Sequence, residues 1–226
     1  MSRLIAAAAL LSAAACTDFA TPNLLENPSI IAVVADPPVV APGGTATLTA
    51  VVADATGIIT VPATWSLVPA YPGVAPLGTI TEGAGEAGLY TAPEVVPDRG
   101  MSIPPVDAIS VTVETSVGPK TAIKAMPVLA ATTTNPTITR LTVAGTEVDT
   151  AIPVAPGTYQ LQIELSPAPT EDTRYAWYSP LGEIERYQSN PCDLVVADDA
   201  TTGPLIVVAR DGAGGVAWRA VELTVE

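Results

Sequence analysis

The chain has 226 residues, a formal net charge of −14 and no histidine. An acidic surface of this kind repels phosphate backbones and argues against nucleic-acid binding, and the absence of histidine removes the commonest general base and metal ligand. At roughly 100–150 residues per domain, the length predicts one large domain or two ordinary ones.

Residues 1–15 have the order of a secretory signal peptide. Arg3 is the only charged residue among them, Leu4–Leu11 is a short apolar run, and Ser12–Ala15 are small. A basic start, an apolar middle and a small-residue cleavage site are typical of an export leader. The apolar run is too short for a membrane span, which needs about 20 residues of helix. We therefore expect residues 1–15 to be removed, which takes the net charge to −15.

Cys16 directly follows these small residues, and Leu11-Ser12-Ala13-Ala14-Ala15-Cys16 resembles a bacterial lipobox, although Ala13 stands where that family usually has leucine. The resemblance implies that the Cys16 thiol receives a diacylglycerol and that the new amino terminus is acylated. Two or more acyl chains hold firmly, because each buried CH₂ adds about 0.8 kcal/mol. The alternative is ordinary secretion with cleavage near Ala15, which leaves a free cysteine.

Residues 16–28 show no hydrophobic periodicity and are interpreted as a lipidated tether; the twelve residues after Cys16 reach at most about 40 Å. Residues 29–130 then alternate between short β-rich runs and Pro/Gly turns, which is typical of a sandwich. The predicted strands of this first domain are Ile30–Val34, Thr45–Asp54, Ala63–Val68, Gly78–Ile80, Gly88–Thr91, Ile109–Thr115 and Thr121–Val128, the last two forming a hairpin across Ser116–Lys120.

Residues 131–136 are polar and predict a linker, and residues 137–226 repeat the plan of the first domain. The clearest half-buried strand alternates Tyr159, Leu161, Ile163 and Leu165 with polar residues. Other predicted strands of this second domain are Thr137–Val143, Arg174–Tyr178, Cys192–Ala197, Pro204–Arg210 and Val216–Val225.

The two halves can be overlaid on each other. Leu48 matches Leu161, Trp65 matches Trp177, and Leu77–Ile80 matches Leu181–Ile184. We interpret this self-similarity as two copies of one domain.

Several segments of the first half, namely Pro42–Thr49, Thr64–Ser66, Gly78–Ile80 and Gly88–Pro93, together resemble bacterial immunoglobulin-like domains. The resemblance covers residues 29–130 well and residues 137–226 more loosely. It implies an all-β chain with two consecutive immunoglobulin-like antiparallel β-sandwich domains, in which a tryptophan fills the space between two sheets. This fold is a scaffold and gives no function by itself.

Four aromatic residues are candidates for core or binding positions. Trp65 and Trp177 are expected in the structural cores. If Trp177 points inward, Tyr178 points outward, and Trp218 shares a face with Glu222 and Thr224. Tyr178 and Trp218 could then form an aromatic platform for a sugar ring or a partner protein. The alternatives are that a bulge after Gly215 turns Trp218 inward, or that it packs against the first domain.

The remaining candidate residues are expected to have structural rather than functional roles. Cys192 is expected to be a buried small hydrophobe, with a reactive thiol or an intermolecular bridge as the alternatives. We expect solvated turn residues at Asp198, Asp199 and Asp211. Calcium needs 6–8 oxygen ligands, and these carboxylates do not have the spacing of a known calcium-binding loop. The carboxylates of Glu183 and Glu185 share a face, but a glycosidase also needs a cleft.

From these observations we expect a protein that is not an enzyme and that uses neither a metal nor a cofactor. We expect a membrane-anchored extracytoplasmic lipoprotein that acts as a structural or docking module of the bacterial envelope, with a protein partner or self-assembly. The alternative is a cell-surface adhesin or glycan-binding protein that uses Tyr178 and Trp218. In the sorting rule of enteric bacteria, an aspartate directly after the lipidated cysteine favours retention in the inner membrane. Thr17 stands at that position here, so resemblance to this rule favours the outer membrane.

Overall fold

The computed structural model describes residues 23–82, 87–97 and 105–226. The predicted leader, the lipidation site Cys16 and the first part of the tether lie outside the described residues. The described part of the chain is all β, with seventeen strands, and contains no helix of the length and apolar character that a membrane span requires.

The first half of the chain forms two facing sheets. One has the strand order β1-β2-β6-β5, with β3 paired to β2, and the other has the order β4-β7-β8. The strands are β1 (Ser29–Asp36), β2 (Thr45–Asp54), β3 (Gly57–Ile59), β4 (Ala63–Val68), β5 (Thr79–Glu82), β6 (Gly88–Thr91), β7 (Val106–Thr115) and β8 (Gly118–Pro127).

The second half forms two more sheets, with the orders β10-β9-β12-β15-β14 and β11-β17-β16-β13. The strands are β9 (Thr137–Val143), β10 (Thr146–Glu147), β11 (Ala151–Val154), β12 (Gly157–Ser166), β13 (Arg174–Tyr178), β14 (Gly182–Glu185), β15 (Cys192–Val196), β16 (Gly203–Arg210) and β17 (Val216–Val225).

Both halves follow the immunoglobulin plan, in which the first, second, fifth and fourth main strands form one sheet and the third, sixth and seventh form the other. Among the described residues, all pairs of named strands are antiparallel except β11–β17, and the two isolated bridges, Val40↔Val128 and Leu24↔Ser179, are parallel. The chain therefore contains two immunoglobulin-like β-sandwich domains, each with a short segment that crosses from the first sheet to the last strand of the second.

The residues matched between the two halves lie on equivalent strands. Leu48 and Leu161 are both fully buried on β2 and β12. Trp177 on β13 is fully buried, and its indole Nε1 donates to Ser189 O at 2.9 Å. Trp65 on β4 is half-buried and packs against Gly88, where an added Cβ would lie 2.8 Å from the indole Cγ. Each tryptophan thus packs against the core of its own domain.

The hairpin at the end of the first domain is tighter than the sequence suggested. β7 and β8 pair from Val106↔Pro127 to Thr115↔Gly118, so the turn has only two residues where five were predicted. Gly118 has a φ of +103°, and its carbonyl accepts a hydrogen bond from the Thr115 hydroxyl. A glycine in this conformation allows the short turn, and it lengthens β8 toward its amino-terminal end.

A buried carboxylate ties the two sheets of the first domain together. Asp107 on β7 is 1% exposed. Its Oδ1 accepts the backbone N–H of Leu77 at 2.7 Å, and its Oδ2 accepts the N–H of Gly78 at 2.7 Å and the Tyr90 hydroxyl at 2.8 Å. Burial and the Asp107 carboxylate together raise the pKa of the Tyr90 phenol, so the phenol stays a donor. The carboxylate therefore fixes the loop before β5 against the opposite sheet.

We predict that Asp107→Asn lowers the free energy of unfolding by about 2–4 kcal/mol. The NH₂ group of the asparagine would replace one carboxylate oxygen and would face N–H or O–H donors that now bond to that oxygen. Tyr90→Phe is the matched control, since it removes one hydrogen bond and should cost about 1 kcal/mol. Urea denaturation followed by tryptophan fluorescence measures both. Equal losses for the two variants would contradict the role given to the carboxylate.

Candidate functional site: the cleft between the two domains

The outer face of the second domain's β11-β17-β16-β13 sheet is covered by the first domain. β16 is buried on both faces, since Leu205 and Val207 point into its own core while Ile206 and Val208 point outward and are also fully buried. The outward residues pack against β1 and β2. The interdomain cluster consists of Leu25, Ile31, Ala32, Val51 and Ala53 from the amino-terminal side and Ile206, Val208 and Val216 from the second domain.

The side-chain amide of Asn135, in the linker, makes hydrogen bonds to both domains. Asn135 Nδ2 donates to Ala35 O at 2.8 Å, and Asn135 Oδ1 accepts the N–H of Val216 at 2.9 Å. The amide therefore joins the end of β1 to the start of β17. Since an amide offers both a donor and an acceptor, one side chain can hold the two domains in a defined relation.

Two cations make further hydrogen bonds across the interface. Arg210 at the end of β16 donates to Ile31 O at 2.8 Å, and Lys124 Nζ on β8 donates to Gly214 O at 2.6 Å. Hydrogen bonds from charged groups contribute more than neutral ones, typically about 1.5–3 kcal/mol. Together with the interdomain cluster they make the two sandwiches one body.

The last part of the segment interpreted as a tether also lies against the second domain. Ser179 N donates to Asn23 O at 3.2 Å, and Leu25 N donates to Ser179 O at 3.5 Å. Asn23 is fully buried, and Leu25, at 2% exposed, belongs to the interdomain cluster. Asn23, the first residue that the structure describes, is therefore already in contact with the second domain.

Tyr178 and Trp218 lie on one face of one sheet but in different surroundings. Tyr178 pairs with Ile206, and Trp218 pairs with Val208, two residues further along β16. Tyr178 is half-buried against the interdomain cluster, and burial raises the pKa of its hydroxyl, an effect that nearby Arg210 opposes. Trp218 is 40% exposed at the edge of the interface, where it lines a cavity with Ile58 of the first domain. Trp218 is thus the member of the pair that is accessible to a ligand.

A cavity of about 540 Å³ opens where β1 and β8 meet the loop between β16 and β17. Among the described residues that line it, Lys124 and Arg210 carry the only polar side chains. The remaining lining residues are aliphatic, proline or glycine: Ile30, Ile31, Ala32, Val33, Ala122, Ile123, Ala125, Pro127, Leu129, Gly212, Ala213, Gly214, Gly215 and Val216.

Lys124 is the most perturbed cation of the cleft. It is 8% exposed, and burial lowers the pKa of its ammonium to about 8; Asp211 opposes this effect and Arg210 adds to it. Asp211 Oδ1 accepts the N–H groups of Ala213 and Gly215 and so shapes the loop below the lysine. The cleft therefore combines apolar walls with two cationic side chains, which suits binding by burial and charge.

The other sequence candidates lie apart from this cleft. Cys192 is fully buried and free, and burial raises the pKa of its thiol to about 12. Glu183 and Glu185 are exposed on β14, on either side of the buried Ile184. No group of three or more Cys, Asp or Glu side chains placed to hold a metal occurs within the described ranges, which include Asp198, Asp199 and Asp211.

The sequence interpretation missed Lys124, although the pattern contained a signal. Ala122, Lys124 and Met126 are two apart on β8, so they share one face of the strand. Met126 is fully buried in the core of the first domain. A lysine on the same strand face as a core methionine is expected to direct its ammonium inward. Such an ammonium needs a hydrogen-bond partner from elsewhere in the chain.

Comparison with known proteins returns neither a matching family model nor a curated protein with a significant match. Among solved structures, the chain is similar to the titin domains Z1Z2 in complex with telethonin (20% identity, TM-score 0.27, covering 89% of this chain and 97% of that one). It is also similar to the Ig1-2 module of the Drosophila receptor protein tyrosine phosphatase DLAR (15%, 0.33, 89% and 100%). A third similar chain is the Yersinia pseudotuberculosis adhesin InvE (15%, 0.27, 87% and 60%).

We predict that Val208→Asp separates the two domains, because it places a carboxylate in the interdomain cluster without touching either core. Small-angle scattering should show a radius of gyration well above the roughly 17 Å of a compact chain of this size. Val117→Asp, at a position 51% exposed on the β7–β8 turn, is the control and should leave the radius unchanged. A compact Val208→Asp chain would contradict the interface.

We predict that Lys124 makes stability rise with pH above about 8. The folded state releases the ammonium proton near pH 8, whereas the unfolded chain keeps it to about 10.4, so unfolding takes up a proton in this window. The slope is at most about 1.4 kcal/mol per pH unit. The stability of Lys124→Met relative to wild type should therefore fall as pH rises from 7 to about 9.5, measured by urea denaturation. A stability difference between the two chains that stays constant over this range would contradict the prediction.

Proposed function

We propose that the chain is an extracytoplasmic lipoprotein, anchored through Cys16, whose two immunoglobulin-like domains act as one rigid docking module of a bacterial envelope without catalytic activity. The observation that carries the proposal is the union of the two sandwiches into a single body. The interdomain cluster, the Asn135 amide, Arg210 and Lys124 all join the two domains. A body of this kind presents its surfaces in a fixed relation, as docking requires.

The contacts of Asn23 and Leu25 support an anchor close to this body. Six residues, 17–22, separate the proposed lipidation site from Asn23, the first described residue in contact with the second domain. Six residues span about 20 Å when fully extended. The module would therefore stay near the lipid surface to which Cys16 attaches, and the outer membrane is the proposed location. The acidic surface adds no electrostatic attraction to anionic lipids, so the acyl chains would hold it alone.

A second candidate function is glycan binding or adhesion through Trp218. Its exposure of 40% favours this candidate, since an accessible indole beside the apolar Ile58 can stack on a sugar ring. Tyr178 packs in the interdomain cluster, so the platform would consist of Trp218 with aliphatic neighbours in place of two aromatic rings.

The anchor is tested by metabolic labelling with an alkyne fatty acid followed by mass spectrometry of the amino terminus. We expect label and an acylated Cys16 in wild type, and neither in Cys16→Ser, which leaves the described fold intact. Wild-type protein that carries no label and has a free Cys16 would refute the anchor.

The docking role is tested by crosslinking in intact cells and purification in mild detergent. A defined partner or a homo-oligomer, lost in Val208→Asp but kept in Val117→Asp, supports a rigid module. A chain that stays monomeric and alone at native abundance contradicts it. Retention on a glycan array that Trp218→Ala abolishes would favour the second candidate.

A further inference from the structure

The ammonium of Lys124 has fewer partners than its buried position requires. An ammonium carries three N–H donors, and among the described residues only Gly214 O lies within hydrogen-bond distance of Nζ, at 2.6 Å. No described carboxylate lies within 4.0 Å of it; the ion pairs of the described residues involve Arg140, Arg186 and Arg219. Two donors of a lysine that is only 8% exposed are therefore unused.

The cavity next to this ammonium is built for an apolar occupant. Its long walls come from two edge strands, β1 with Ile30 and Val33, and β8 with Ala122. Pro127, the last residue of β8, and Leu129 beyond it continue this wall. The volume of about 540 Å³ lies within the roughly 300–1,000 Å³ range of small-molecule sites.

The charge of the cleft is opposite to that of the molecule. The chain carries −14 overall, yet both polar side chains of the lining, Lys124 and Arg210, are cations. The Arg210 guanidinium already donates to Ile31 O, and Asp211 Oδ1 already accepts two backbone N–H groups of its own loop. Lys124 is therefore the cation of the aliphatic lining with donors to spare, and it matches a ligand with one negative group and a hydrocarbon chain.

We propose that the interdomain cleft binds an amphiphilic monocarboxylate of the fatty-acid class. Its carboxylate accepts hydrogen bonds from the two unused donors of Lys124, and its chain lies between β1 and β8. Carboxylates bound to an ammonium make charge-assisted bonds, and a water-excluded setting strengthens them. Since Lys124 belongs to the first domain and Gly214 to the second, the ligand would sit at the seam of the rigid body.

The proposal is tested with the exported chain, residues 16–226, carrying Cys16→Ser so that no covalent acyl chain competes. Dansyl-undecanoic acid is the fluorescent probe, and dodecanoate, below its micelle-forming concentration, is the competitor. We expect saturable binding of one probe per chain and displacement by dodecanoate. Dodecanol has the same chain without the charge and should compete at least tenfold more weakly.

Two lysine variants separate the head-group contact from general hydrophobic adsorption. Lys124→Met keeps the length of the side chain and should weaken probe binding at least tenfold, whereas Lys120→Met, which lies on the same strand outside the cavity lining, should bind as wild type. A far-UV circular dichroism spectrum like that of wild type and a cooperative thermal transition show that the fold of Lys124→Met is intact.

Several results would overturn the proposal: no saturable binding, equal competition by dodecanol and dodecanoate, or unchanged affinity in Lys124→Met. Dodecylphosphocholine, a zwitterion, is tested as a further competitor. Stronger competition by this compound than by dodecanoate would indicate a site for a phospholipid head group and would refute the proposed ligand class. The acylation of Cys16 and the capture of envelope partners are measured separately, so failure here leaves the proposed function standing.

Discussion

Ile206 and Val208 point away from the core of their own domain and are nevertheless fully buried, because the first domain covers them. Each buried aliphatic side chain of this size contributes about 1.5–3 kcal/mol relative to exposure. The polar contacts of the interface are arranged around this apolar contact: Asn135, Arg210 and Lys124 all bond to backbone groups at its margin. The interface therefore resembles a shared core with a polar rim more than a flexible joint.

Lys124 connects this interface to a general problem of β-sandwiches. β8 is the outermost strand of its sheet, and unpaired edge strands invite association with other chains. A charged side chain directed inward on such a strand discourages pairing, since a second strand would bury the charge. Here the loop of the second domain supplies Gly214 O to the ammonium, so a residue suited to edge protection also fastens the two domains.

The sequence predicted the sandwiches because their signal is local. Alternation with a period of two, as in Tyr159 to Leu165, and the recurrence of Leu48 and Trp65 as Leu161 and Trp177 depend on neighbours along one strand. The interface depends on residues far apart in the chain, such as Arg210 and Ile31, and periodicity carries no information about such pairs. One sign was present: Leu205–Ala209 is continuously apolar, which is typical of a strand buried on both faces.

The same distinction explains the outcome for the candidate site. The sequence interpretation placed Tyr178 and Trp218 on one face of the sheet, as the structure does. Which of the two stays accessible depends on where the first domain packs, and that is a tertiary property. The cleft around Lys124 is made by β1, β8 and a loop of the other domain, so no single stretch of sequence contains it.

The parallel bridge between Leu24 and Ser179 also bears on the order in which the molecule can be assembled. A chain that emerges from its amino terminus delivers residues 23–25 long before Ser179, and the first domain lies between them in sequence. Leu25 can meet Ile31 and Val51 of the first domain early, but the hydrogen bonds of residues 23–25 to Ser179 require the second domain. A first domain on its own would therefore leave the segment that leads into it only partly held.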